Sequence, residues 1–369
     1  MLWVDKHRPR SLKDLSYHEN VNKRLVRLAE NGSNLPHLLF YGPSGGGKKT
    51  RIMALLKEIY GVGVERLRLD KRTFKTPTKR DVDIHMICSN YHVELNPGSV
   101  GLDDRFVIQD VIKEMASNKS ITSTTTTSTT ASTASTTTNN IKYKMVVLVE
   151  VDQLSRQAQA ALRRTMERYA ATCRLILCCT NLAKVMEPLQ SRCLPIRIPA
   201  PSTNQITDGL KLIAHKEHIV LSNPIATQLA QQSNRNMRRA ILMMECTNTT
   251  TSNTTSTDSD QLKFKTDWEL YIAQLAIEIT REQSPQRLLA AREKLYELLI
   301  NCIPPTLILK TLTHELFKNL DDSLKHEVLE AAAFYEHRIA LGSKDIFHLE
   351  AFIAKYMALY KRYLNDMFA

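Results

Sequence analysis

The sequence predicts an α/β domain, a parallel sheet with flanking helices around a phosphate-binding loop, followed by a small helical domain and an all-α C-terminal domain. Three observations carry this. The apolar run His37-Leu38-Leu39-Phe40 leads into YGPSGGGKKT (41–50) and then a mixed basic and apolar segment, Lys48 to Tyr60. That order is strand, glycine-rich turn, helix, the context in which G-x-x-x-x-G-K acts as a phosphate-binding loop. Further short apolar runs alternate with helical patterns up to residue 200, as in a parallel sheet covered by helices. Beyond Asn204 only helical patterns remain. The expected boundaries are 1–200 for the α/β domain, 201–246 for the small helical domain, 247–263 for a low-complexity linker and 264–369 for the helical C-terminal domain.

In chain order, residues 1–36 give a basic lead-in and a polar helix around Glu19–Glu30. The Trp3–Pro9 segment sets Trp and Pro beside charges, which suits packing onto a flat surface such as an adenine ring or a neighbouring domain. Residues 63–96 alternate in short apolar and polar steps, and predict strands joined by a basic hairpin carrying Lys79 and Arg80. Asp104–Ala116 repeats apolar residues at helical spacing. Residues 118–140 form a Thr/Ser tract that cannot bury enough apolar surface to order itself, so a disordered insertion is expected. The same is expected of Thr247–Asp260. Lys144–Val149 and Leu175–Cys179 are buried strands flanking an amphipathic helix over Gln153–Tyr169. Ile196–Pro201, bounded by prolines, is expected to be the link that ends the first domain. Helices then follow over 204–217, 223–233 and 236–245, and again over 268–282, 284–302, 305–319, 323–341 and 343–366.

The chain has 369 residues, a formal charge of +12 and a pI near 9.3, so an anionic partner is expected, nucleic acid first. Seven cysteines form no C-x-x-C pair, which argues against a zinc site or a disulfide framework. The N-terminal residues lack the apolar core of a signal peptide and no run approaches a membrane span. A reducing compartment, cytosol or nucleus, is the expectation.

The loop's glycines, Gly42, Gly45, Gly46 and Gly47, together with Pro43 and Ser44, let backbone N–H groups crowd around a phosphate, and Lys48 reaches the β- and γ-phosphates. The next position calls for Ser or Thr, whose hydroxyl holds Mg²⁺. Here it is Lys49, with Thr50 one place late. The strand at 146–149 runs into Glu150-Val151-Asp152, where a phosphate-loop ATPase needs one acid for Mg²⁺ and one to polarise water. If Glu150 polarises water, Val149 fills the metal-binding place. If Glu150 holds the metal, the second acid is lacking. Both registers predict a weak ATPase that still binds phosphate; Thr50 and Asp152 are the remaining, weak metal candidates. Arg192, after Glu187-Pro188-Leu189-Gln190, is a lone arginine of the kind that is ordinarily solvated or salt-bridged, whereas Arg238, in a short helix, could reach back to a γ-phosphate, with a basic helix face as the alternative.

Four stretches carry a family resemblance: LWVDKHRPRSL (2–12), PHLLFYGPSGGGKKTR (36–51), AQAALRRTMERY (158–169) and EPLQSRC (187–193) leading into PAPS (199–202). The chain resembles the small subunits of the replication factor C clamp loader, members of the AAA+ ATPases. CIPPTLILK (302–310) and LGSKDIFHLEAFIAKYMALYK (341–361) are similar to subunit 3 in particular. The resemblance implies an AAA+ nucleotide-binding domain, a lid and a collar that joins five different subunits into an open ring. It implies a nuclear complex that uses ATP to open the sliding clamp PCNA and load it on primer-template DNA. The partners implied are four other replication factor C subunits, PCNA and the DNA backbone, with no membrane. ATP or ADP is the implied cofactor, with Mg²⁺ held weakly if at all. Gly42–Thr50 match the Walker A element, Glu150 the catalytic glutamate and Asp152 the last acid of its box. Arg192 matches an arginine finger acting on the adjacent subunit's ATP, Arg238 the sensor 2 arginine, and Arg8-Pro9 the segment near the adenine. Sensor 1 is normally Asn; here Thr180 stands there, beside Asn181. Arg105, at the start of a helix, is the first candidate for a DNA-phosphate contact, and Lys79 and Arg80 follow. Lys49, Val149 and Thr180 weaken the chain's own site while Arg192 is intact, so it reads as a better activator than hydrolase. A nucleotide-binding assembly scaffold and another AAA+ loader are the alternatives.

Overall fold

The computed structural model describes residues 1–75, 81–98, 104–117, 143–170, 172–219, 221–253, 266–318, 320–342 and 344–368. The expected insertion at 118–140, and Lys79 and Arg80 of the hairpin, lie outside them. The chain divides into two compact units, Met1–Leu262 and Lys263–Ala369.

The first unit holds a seven-stranded sheet. Its strands are β1 (His37–Tyr41), β2 (Arg68–Lys75), β3 (Asp81–Cys88), β4 (His92–Leu95), β5 (Lys144–Val149), β6 (Cys173–Cys179) and β7 (Cys193–Arg197), in the order β2-β3-β4-β5-β6-β1-β7. From β4 to β7 every neighbour is parallel, whereas β2, β3 and β4 pair antiparallel. The sheet is therefore mixed rather than wholly parallel, because the hairpin extends one edge. β7 is a second correction. The link expected over Ile196–Pro201 starts inside a strand: β7 pairs with β1, His37 opposite Cys193, Leu39 opposite Pro195 and Tyr41 opposite Arg197. A proline is tolerated there because β7 is an edge strand with one side unpaired.

Period-two alternation buries both faces of the parallel strands. Leu39, Val146, Leu148, Leu175 and Leu177 pack with α4 (Asp104–Ser117) and α5 (Arg156–Arg168). Leu38, Phe40, Met145, Val147, Ile176 and Cys178 pack with α2 (Glu19–Glu30) and α3 (Lys48–Tyr60). The helix expected from Gln153 starts later: Val151–Gln153 is a 3₁₀ turn, and Ser155 caps α5 by accepting the Ala158 N–H.

A helical group follows in the same unit: α7 (Thr203–Lys216), α8 (Asn223–Gln232) and α9 (Met237–Asn253). α9 overturns part of the expected linker, since the backbone stays helical through Thr247–Asn253. The lead-in helix α1 (Trp3–Lys6) packs on α9, with the Trp3 N–H donating to Glu245 Oε2 at 3.1 Å. Lys6 and His7 both hold Glu217, at the end of α7. The flat surface expected beneath Trp3 is thus a helix of its own unit.

Among the described residues the second unit has five helices, α10 (Asp267–Arg281), α11 (Pro285–Ile300), α12 (Pro305–Phe317), α13 (Asp322–Leu341) and α14 (Asp345–Phe368), around one apolar core that includes Leu295, Leu312, Phe352 and Tyr356. Pro at the first turn of α11 and α12 and a capping box at Thr266 and Glu269 set their starts near the expected residues.

Candidate nucleotide site

The C-terminal ends of β1, β5 and β6 lie side by side, and each carries a segment singled out in the sequence. Open α/β sheets bind ligands at that end of the strands. The loop after β1 is closely fitted. Gly45 and Gly47 adopt φ of +73° and +85°, and a Cβ on Gly47 would stand 2.4 Å from the Tyr17 hydroxyl. Only glycine meets both demands. The Lys48 ammonium is buried and donates to the carbonyls of Gly42 (2.7 Å) and Pro43 (2.9 Å). Burial lowers its pKa, Arg238 lowers it further, and Cys178, Cys179 and Asp152 oppose the shift.

Arg51, one turn into α3, is the residue that sequence reasoning missed. It is completely buried. Its guanidinium donates to the Gly46 carbonyl (3.1 Å), the Tyr17 carbonyl (2.9 Å) and Asn22 Oδ1 (3.2 Å), and lies 4.5 Å from the centre of the Tyr17 ring. It ties the back of the loop to the segment before α2, and burial lowers its pKa as well. Its only sequence signal was a basic residue in a helix that carries several.

Three carboxylates stand at the strand ends, and each is engaged by the protein. Glu94 on β4 forms an ion pair with Lys49. Glu150, at φ +60°, accepts from Asn96 Nδ2 at 3.0 Å. Asp152 Oδ2 accepts the Thr180 hydroxyl and the N–H groups of Thr180 and Asn181 (both 3.3 Å). Asp152 Oδ1 is enclosed without a hydrogen-bond partner. The family implies Mg²⁺ at such a loop, and these residues do not fit it. The place of the metal-holding hydroxyl carries an ammonium already paired with Glu94, Val149 is an apolar strand end, and Thr180 is engaged with Asp152. Among the described residues no group of three or more His, Cys, Asp and Glu side chains is arranged to hold a metal. Cys178 and Cys179, expected as buried small residues, are buried, and burial pushes their thiols up to about 11 and about 12.

The lid group reaches this site. Asn236 caps α9 by accepting the Arg239 N–H (3.1 Å), and the same amide stands against Gly45. Arg238 follows it, exposed, and close enough to Lys48 for its charge to be felt. Arg235, at φ +60°, anchors the turn by donating to the carbonyls of Ala200 and Pro201 (both 3.0 Å). Arg8 is half-buried, 3.9 Å from Asp5, with Pro9 next to it.

Arg192 sits elsewhere. It follows the short helix α6 (Glu187–Gln190) and bonds Glu167 of α5 (2.6 Å) and the Pro188 carbonyl (2.8 Å), neither of them part of the phosphate loop. Arg105 is exposed at the start of α4 and lines a groove with Gln109, Gln157 and Arg164 of α4 and α5.

Residues 268–364 match the family described as replication factor C subunit 3, C-terminal domain, residues 208–249 an AAA+ ATPase lid domain of the RCF1/5-like type, and residues 17–202 the DNA polymerase III delta subunit. Replication factor C subunit 3 of Mus musculus is 48% identical over 99% of this chain and 98% of that one. Replication factor C subunit 5 of Oryza sativa is also 48% identical, over the whole of both chains, and subunit 3 of Arabidopsis thaliana 47%. A solved structure of the RuvB Holliday junction branch migration motor of Thermotoga maritima gives a TM-score of 0.49 at 18% identity, over 78% of this chain and 85% of that one. The chain belongs to the replication factor C family of AAA+ clamp-loader small subunits, with the subunit 3 type of C-terminal domain.

Proposed function

We propose that this chain is the member of a heteropentameric replication factor C complex that holds nucleotide in its own site and promotes hydrolysis in a neighbour's. The complex acts in the nucleus, opens the sliding clamp PCNA with ATP and loads it on primer-template DNA. In this reading Met1 to about residue 200 is the nucleotide-binding domain, the lid ends in α9, and the region from residue 264, with α10 to α14, forms the collar. The loop Gly42–Thr50, Lys48 and Arg238 hold the phosphates of ATP or ADP, and Arg8-Pro9 lie toward the base. Hydrolysis there is slow because Lys49, Val149 and Thr180 replace the groups that would organise the metal and the water.

The observation that carries the proposal is the separation of Arg192 from the chain's own loop. A guanidinium bonded to Glu167 and Pro188 does not serve Lys48's site, but just before the edge strand β7 it is available to a neighbour. An arginine supplied in trans contributes about 10³–10⁵ in rate to phosphoryl transfer. Arg105 and the groove between α4 and α5 suit contacts to DNA phosphates, which carry no base readout and weaken with salt. The test is clamp loading onto primed DNA by the reconstituted complex. Arg192→Ala abolishes loading at saturating ATP, whereas loading at the wild-type rate would leave the assembly-scaffold reading in its place.

A further inference from the structure

We propose that the Lys49 ammonium, held by Glu94, occupies the place of a divalent cation, so that this chain binds a nucleoside di- or triphosphate without Mg²⁺. The inference rests on the reading of the loop as a nucleotide site and specifies that site's cofactor chemistry. Lys49 is the second residue of α3, directly after the phosphate-directed Lys48, at the place where a hydroxyl would hold Mg²⁺. Its ammonium is partnered by Glu94, whose side chain is only 10% exposed. Glu94 is not in the loop but on β4, 45 residues along the chain, so the fold supplies the ammonium with its own counter-ion.

A phosphate anion in a partly desolvated cradle needs positive charge close by. A metal provides it in most phosphate-loop sites. Here Lys48, Arg238 and the N-terminus of α3 provide it from the protein, and the Lys49 ammonium fills the metal's place. A divalent cation at the same place would meet the Lys49 charge head on, and each carboxylate at the strand ends already bonds within the protein. Glu94 is paired, Glu150 accepts from Asn96, and Asp152 Oδ2 accepts from Thr180 and Asn181. The other Asp152 oxygen, Oδ1, is enclosed, and the carboxylate acts on Lys48. Glu94 is a positioning residue in this arrangement: it keeps the Lys49 ammonium at the strand ends instead of letting it extend into water.

The experiment is calorimetric titration of ADP onto the full-length chain, once in excess Mg²⁺ and once in excess EDTA. Dissociation constants that agree within about twofold are expected, and weakening by about tenfold or more in EDTA overturns the proposal. Absence of binding in both buffers contradicts the nucleotide reading itself, which separates the two failures. Lys49→Thr restores the hydroxyl and removes the ammonium, so its affinity becomes Mg²⁺-dependent by about tenfold or more. A variant that stays metal-independent, with circular dichroism unchanged, counts against the substitution of Lys49 for the ion.

Discussion

The phosphate loop and the Arg192 surface hold their charges in opposite ways. Around the loop, Lys48 is bonded to two loop carbonyls, Lys49 to Glu94, Arg51 to a four-partner network, and Asp152 to Thr180 and Asn181. Several of these groups are buried, so breaking one leaves a desolvated partner behind. Arg192 makes one side-chain ion pair with Glu167, half of whose side chain is exposed, and such a pair is worth about 0–1 kcal/mol. The difference separates a site built to hold from a side chain free to change partners. A weak clasp is what an arginine needs if it is to leave for the phosphate of a neighbouring subunit.

The strongest way to break the holding side is Arg51→Met. It strands the carbonyls of Gly46 and Tyr17 and the Asn22 amide, and destabilisation of about 1–3 kcal/mol or more is expected in denaturant titration of the full chain. ADP affinity falls with it, and an unchanged unfolding midpoint would remove Arg51 from the account. Lys at this position does not rescue, because an ammonium cannot reproduce the guanidinium's fork.

Acid probes the same sheet. His37 Nδ1, on β1, accepts the Leu175 N–H at 3.0 Å, and burial, helped by Arg174, lowers its pKa to about 4. The unfolded chain therefore binds the proton more readily. Stability is complete above about pH 6.5 and is lost as pH falls toward 4, by about 3 kcal/mol at the limit. His37→Gln, whose amide oxygen can accept the same N–H, removes that slope between pH 6.5 and 4. A slope that persists in the variant assigns it to other groups.

The smallest effect belongs to the clasp. Glu167→Ala releases Arg192 and changes steady-state ATPase of the complex by less than about fivefold, with loading retained. A loss as large as that from removing Arg192 would mean that Glu167 does more than hold a weak surface pair.

Much of this molecule was legible in the sequence, for identifiable reasons. Strands β1, β5 and β6 are apolar on both faces, and the glycine-rich turn joins β1 to a helix whose ends match the expected residues. The misses share a cause, which is that tertiary partners decide the outcome. Ile196–Pro201 read as a proline-bounded link, but Ile196 and Arg197 belong to an edge strand, where the neighbouring Pro195 is tolerated. The polar tract after Thr247 argued against a helix, but α9 propagates from a buried start at Ala240, Met243 and Met244. Lys49 stood out as an irregularity, while its partner Glu94 lies 45 residues away and could not be assigned from pattern. Arg51 gave no signal, because burial and four acceptors distinguish it, not residue type. Arg192 was found by motif, and its partner Glu167, 25 residues earlier, only by structure.

On the proposed reading, this chain activates more than it hydrolyses. Steady-state ATP hydrolysis by the reconstituted five-subunit complex, with clamp and primed DNA, tests it when Arg192→Ala and Lys48→Ala are measured side by side. The account predicts a drop at the neighbouring site of about 10³-fold or more for Arg192→Ala, and most of the total turnover retained for Lys48→Ala. Turnover abolished by Lys48→Ala and untouched by Arg192→Ala would contradict it.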